Sequence, residues 1–343
     1  MAYTTIKKPS DYFNTKLYTG TGASNSITGV GFQPDLTWIK SRSVAGAGHR
    51  WHDVVRGAGN MIASDTTAAE FDDSALFPSF DSDGFTVAGT GSAYNGSTQT
   101  YASWNWLASN TTASNTDGSI TSTVSANTTS GFSIVTYTGT SSAETVGHGL
   151  GVAPNMIIVK PYSVSQYWSV FHSSMGNSYY GYLNVSDAFI NTPSTVWNNT
   201  INSTVFGIGS GVATNINLAS HIAYCFAEVK GFSKFGSYTG NGSDDGTFVY
   251  TGFKPAFVII KSTSTNTWIM LDNKRGSYNV NQSKLFADAN SAENTDTSNG
   301  IDFLSNGLKL RRNNSEINTS GQSYIYMAFA EEPLVGDNPA TAR

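Results

Sequence analysis

Pro255-Ala256-Phe257-Val258-Ile259-Ile260-Lys261 is a short apolar run opened by a proline and closed by a lysine. It is too short for a helix, has no 3.6-residue period and is rich in β-branched side chains, so it reads as a strand covered on both faces. The phrase occurs twice more, as Pro34-Asp35-Leu36-Thr37-Trp38-Ile39-Lys40 and Pro154-Asn155-Met156-Ile157-Ile158-Val159-Lys160. Upstream of each proline stands the same tripeptide, at Tyr18-Thr19-Gly20, Tyr137-Thr138-Gly139 and Tyr238-Thr239-Gly240, and the tyrosine-to-proline spacing varies by one residue at most. Downstream, each copy closes on an aromatic strand whose last ring is Trp106, Phe226 or Phe329. The chain is therefore one unit written three times.

The closing segment alternates, with Ile222, Tyr224 and Phe226 on one side and His221, Ala223 and Cys225 on the other. Gly, Asn, Asp and Ser clusters separate the runs; Asn241-Gly242 and Asp245-Gly246 favour tight turns. Many short strands in units of about 100 residues predict an all-β protein of three tandem β-sandwich modules, jelly-roll or lectin-like. The expected division is an N-terminal attachment arm at 1–16, repeats at 17–109, 131–230 and 231–335, a Ser/Thr/Asn-rich linker at 110–130 and a tail at 336–343. Repeats two and three follow each other closely and are expected to share a rigid interface.

Composition narrows the function. Of 343 residues only 13% are charged, and Gly, Ser, Thr and Asn fill the polar positions. A net charge of −5 with no basic stripe argues against a nucleic-acid footprint. One cysteine allows no internal disulfide, and Cys225 sits in a column of small residues, so a buried, inert thiol is expected. The start MAYTTIKKPSDYF lacks the apolar core of a signal peptide, and no apolar stretch is long enough for a membrane helix. Synthesis in a cytoplasm is expected.

Several clusters invite a catalytic or metal reading. His49, Trp51, His52 and Asp53 are dense in ligand types, but the other repeats keep only the Trp, in WSVFHSSMG and WIMLDNKRG, so a core Trp with a variable strand exit is expected. Asp81-Ser82-Asp83-Gly84 imitates a calcium loop without its downstream acid and reads as a turn. Glu228, Glu331 and Glu332 could suggest the carboxylate pair of a glycosidase, yet Glu228 and Glu331 occupy equivalent positions and read as edge charges. The three lysines closing the apolar runs have no common acid or base beside them and read as structural. No catalytic, cofactor-binding or metal-binding residue is assigned. Tyr179, Tyr180, Tyr182 and Trp197, set among Gly, Asn and Ser, are candidates for glycan or receptor contact by ring stacking.

The phrases KPSDYFNTKLYTG, GVGFQPDLTWIK, VGHGLGVAPNMIIVK, GTFVYTGFKPAFVIIK and YIYMAFAEEPL resemble an uncharacterised tandem-repeat virion protein family of marine tailed bacteriophages, cyanophages included. The resemblance runs from Lys8 to Val335 and brings no catalytic residues with it. It implies a non-enzymatic protein of the virion surface, a tail fibre or receptor-binding appendage that contacts the host, with a capsid decoration or head-fibre protein as the alternative. A glycan hydrolase on the same fold is the competing class. By analogy, the arm would grip other virion proteins, the chain would self-associate as a trimer, and a host surface glycan would be a possible ligand; neither nucleic acid nor membrane insertion is expected.

Overall fold

The structure is a computed structural model that describes residues 4–276, 278–297 and 300–341. Residues 1–3 of the expected arm and 342–343 of the expected tail lie outside them. The chain is all-β, built of antiparallel sheets, with short 3-10 turns at Pro9–Asp11 and Ser173–Met175.

Each repeat contributes the same four strands to a large sheet. The opening strands are Phe13–Thr19, Phe132–Thr138 and Ser233–Thr239, and the closing strands are Thr100–Trp106, Ser220–Phe226 and Ser323–Pro333. The proline phrase gives Leu36–Ser41, Met156–Pro161 and Phe253–Ser262, and a fourth strand gives Arg50–Asp53, Ser169–His172 and Trp268–Asp272. In all three the order across the sheet is opening, closing, proline, fourth. Pro34 and Pro154 lie just ahead of their strands, where no ladder donor is needed, whereas Pro255 lies inside its strand at a register shift between Lys254 and Phe257.

A smaller sheet lies over the outer face of each large one. It pairs Asn25–Thr28 with Gly84–Val87, Glu144–Gly147 with Val205–Ile208, and Phe248–Tyr250 with Gly307–Leu310. Between the layers are three separate cores. One holds Ile27, Ile39, Phe85 and Tyr101; a second holds Val135, Ile157, Phe206 and Ala223; a third holds Val249, Ile260, Leu308 and Tyr326.

The opposite faces of the three large sheets turn toward one another, and this departs from a string of independent modules. Trp38, Trp104 and Trp106 of the first repeat, Ile134, Tyr224 and Phe226 of the second, and Phe257, Met327 and Phe329 of the third share a single core. The closing rings meet directly: Trp106 and Phe226 lie 6.2 Å apart, Trp106 and Phe329 5.8 Å, and Phe226 and Phe329 6.1 Å. The interface expected for repeats two and three alone therefore joins all three.

Two segments differ from their sequence reading. Within 110–130, Ala113–Asn115 and Ser122–Asn127 are strands that extend the second large sheet, so this is not a free linker. A strand at a sheet edge needs backbone pairing and little apolar content, and Val124 supplies the one firmly buried side chain of its kind here. The expected arm is likewise built into the body. Thr4, Ile6 and Pro9 are buried, Ile6 joins the central core, and the first strand already begins at Phe13. Asp337 of the expected tail donates its backbone N–H to the Lys7 carbonyl, bringing the two chain ends together.

Candidate functional site

The triplicate motifs turn out to be joints. In each Tyr-Thr-Gly the tyrosine hydroxyl donates to a backbone carbonyl in the loop before the closing strand: Tyr18 to Tyr94, Tyr137 to Thr214 and Tyr238 to Ile317, at 2.7–2.8 Å. The same rings stack on the first ring of the closing strand, Tyr101, His221 or Tyr324, at 4.9–5.0 Å and nearly parallel. The residue after each hydrogen-bonded carbonyl is a buried asparagine, Asn95, Asn215 or Asn318. Its Oδ1 accepts the backbone N–H of Thr21, Thr140 or Asn241, and its Nδ2 donates to the carbonyl of Ala23, Ser142 or Ser243. Glycine is required in the tripeptide because a Cβ would overlap the carbonyl oxygen of Gly96, Ile216 or Thr319.

The three lysines are buried and bridge to carbonyls. Lys40 Nζ donates to Ser41, Lys160 to Thr67 and Gln166, and Lys261 to Ser262 and Ser264. Burial lowers their pKa from the ordinary 10.5 to about 8, about 7 and about 8. Lys160 reaches across to the first repeat, which makes it part of a joint between repeats.

A second set of joints forms where the fourth strand ends. Asp53 Oδ1 accepts the backbone N–H of Val55 and Arg56, while Oδ2 takes Arg56 Nε at 2.7 Å and the Tyr224 hydroxyl of the second repeat at 2.9 Å. Asp272 repeats the pattern with Lys274, Arg275 and, from the first repeat, Trp104 Nε1 at 3.1 Å. Each arginine has a further carboxylate, Glu70 for Arg56 at 2.6 Å and Glu293 for Arg275 at 3.1 Å, and Arg42 of the first repeat also binds Glu293. The second repeat has His172 in place of the aspartate. His172 Nδ1 accepts Ser174 N–H, so Nε2 carries the proton and donates to the Tyr326 carbonyl of the third repeat at 3.2 Å. Burial lowers its pKa to about 4, keeping it neutral. The contacts run from first to second, second to third and third to first, closing a ring.

The remaining candidates fall into place around these joints. His49 Nδ1 accepts from Trp38 Nε1, and its Nε2 faces the Phe286 and Ala289 carbonyls of the third repeat. His52 stacks on Phe77 and faces the Ala58 carbonyl and the Tyr94 hydroxyl. Burial pushes both histidines below their ordinary pKa. Trp51 is a core residue, but its equivalents are Val170 and Met270, and the repeated Trp168 and Trp268 correspond to His49. Among the described residues no group of three His, Cys, Asp or Glu side chains is placed to hold a metal ion. Ser82 and Asp83 form the tip of a tight hairpin, and the Asp83 carboxylate accepts from Gly29 and Gly31 N–H. Glu228 pairs with Lys234, and Glu331 and Glu332 flank Lys254. Cys225 is fully buried and its thiol pKa is raised by that burial.

The proposed ring-stacking set is not an exposed platform. Trp197 and Tyr180 are buried in the outer core of the second repeat, and half-buried Tyr179 packs against the central core. Half-buried Tyr182 packs against that outer core and stacks at 4.6 Å on exposed Tyr167. Apolar burial took priority over the polar neighbours that made these rings look exposed. No helix among the described residues is long and apolar enough to cross a membrane.

The chain belongs to the family described as Domain of unknown function (DUF7483), whose model matches residues 8–333. That span takes in all three repeats as one unit. No curated protein matches the chain.

Proposed function

We propose that the protein is a non-enzymatic structural component of a bacteriophage virion surface, a tail fibre or receptor-binding appendage that meets the host cell. The observation that carries this reading is the polarity of the triplicate body. The chain ends, the short connection between the second and third repeats and the closing rings gather at one end of the strands, and the three Tyr-Thr-Gly turns with their asparagine clamps lie at the other, joined there by the hairpin of the first connection. Such a body offers one end for attachment and three similar loop sets for display, which multiplies contacts with a repetitive surface. Asp53, His172 and Asp272 support a mechanical role, because these buried polar groups are spent on joints between repeats. Within one chain the three repeats supply the threefold arrangement that separate subunits would otherwise have to assemble.

Immunogold electron microscopy of intact particles tests the proposal. Label at the tail is expected. Label over the head would move the protein to a capsid decoration role, and unlabelled particles would overturn a virion role altogether.

A further inference from the structure

The outer edges of the three small sheets are equivalent positions with three different fates. In the third repeat, Leu310 N–H donates to the Thr247 carbonyl and Thr251 N–H to the Asn306 carbonyl, both at 3.1 Å. Residues 247, 249 and 251 thus face the neighbouring strand, and alternation turns the peptide groups of Phe248 and Tyr250 to the outer edge. Among the described residues no strand lies beside that edge. In the second repeat the corresponding groups, on Thr145 and Gly147, are occupied by the chain itself. Ile120 N–H donates to the Thr145 carbonyl at 3.0 Å and Ser122 Oγ to the Gly147 carbonyl at 2.8 Å. The fold therefore accepts an extended segment at this place, here through a single parallel bridge between Ile120 and Val146. In the first repeat the edge carries exposed Ser26 and Thr28, with Ser26 bonded to Thr86.

The third edge is built differently. Phe248 is 43% and Tyr250 55% exposed, side by side on one face, while Val249 between them is buried. Neither a proline nor a charged side chain stands on this strand to discourage pairing. We propose that Phe248–Tyr250 pairs antiparallel with the same strand of a second copy of the chain, joining the two small sheets about a two-fold axis. With Val249 opposite Val249 of the mate, Phe248 and Tyr250 exchange N–H···O bonds reciprocally. Each Phe248 ring then lies across from a Tyr250 ring on the outer face, a favourable cross-strand pair formed twice. The same patch serves both copies, as a two-fold contact requires. A foreign strand would satisfy the peptide groups but would not by itself bring ring to ring. Lys309, the charge nearest Phe248 on the inner neighbour, is already paired with Asp245 at 2.9 Å.

Sedimentation velocity over a concentration series, with the intact chain, tests this. Wild type is expected to shift from 36.5 kDa to twice that mass as concentration rises. The double variant Phe248→Ser/Tyr250→Thr carries the first repeat's own side chains at these positions; it is expected to stay monomeric with an unchanged melting temperature. Hydrogen exchange supplies a readout that needs no variant, since the amides of Phe248 and Tyr250 should slow as wild-type concentration rises. Wild type that remains monomeric at millimolar concentration, a variant that still dimerises, or exchange at those amides that ignores concentration would each overturn the proposal. Monomeric wild type that binds a fluorescent peptide of the 115–123 sequence would overturn it in favour of a foreign strand.

Discussion

The joint at Asp53 and the joint at His172 occupy equivalent places in the ring of repeats and are held by different chemistry. At the first, a carboxylate organises its own turn, grips Arg56 and receives a hydroxyl from the next repeat. At the second, a neutral imidazole organises the turn with one nitrogen and donates to the next repeat with the other, and Met175 stands where the arginine would be. The contrast teaches that the fold needs a turn acceptor and a bridge to the neighbouring closing strand, whereas the buried charge is one of two ways to supply them. A buried ion pair is costly to break and need not be better than a well-packed neutral solution.

Breaking one half of the ionic joint is the largest expected effect. Arg56→Met leaves Asp53 buried without its cation and should lower stability by about 3–5 kcal/mol in a urea titration. Converting the whole site to the second repeat's solution, Asp53→His with Arg56→Met, should cost clearly less than Arg56→Met alone. A double variant as damaged as the single one would mean that the charge itself is indispensable.

The asparagine clamps sharpen the comparison from the other side, because there all three repeats use the same residue. Asn95→Ala, Asn215→Ala and Asn318→Ala each leave buried backbone groups unpaired and should each cost about 1–3 kcal/mol by the same titration. Similar losses at the three sites are expected, in contrast with the unequal joints at the fourth strand.

A smaller effect concerns pH. With Lys160 lowered to about 7 and Lys40 and Lys261 to about 8, the folded chain releases protons that the unfolded chain keeps until about 10.5. The unfolded state binds more protons through that window, so stability should rise as pH increases from about 7 toward 10. Above that, buried tyrosines with raised pKa values, Tyr18, Tyr137 and Tyr238 among them, reverse the trend. Lys160→Met should flatten the rise in urea midpoint between pH 7 and 10, and an unchanged slope would assign it to other groups.

The strands were legible because their apolar runs and closing rings repeat in register, and burial on both faces leaves a continuous apolar signature in Ile157–Val159 and Phe257–Ile260. The asparagine column left a readable trace too: Asn95, Asn215 and Asn318 each stand six residues before the first ring of the closing strand. The ring of joints was not legible. Asp53 meets Tyr224 across 171 residues and Trp104 meets Asp272 across 168, and the substitution of His172 hides the equivalence of the sites. The strands within 110–130 were not legible because edge pairing leaves little hydrophobic pattern, nor was the burial of Tyr180 and Trp197, because their polar neighbours in sequence are not their neighbours in space.

Differential scanning calorimetry of the intact chain addresses the fused central core most directly. Three repeats that share the Trp106, Phe226 and Phe329 contact should melt together, in a single transition with calorimetric and van't Hoff enthalpies in agreement. Separate transitions for the repeats, or a calorimetric enthalpy several times the van't Hoff value, would contradict it.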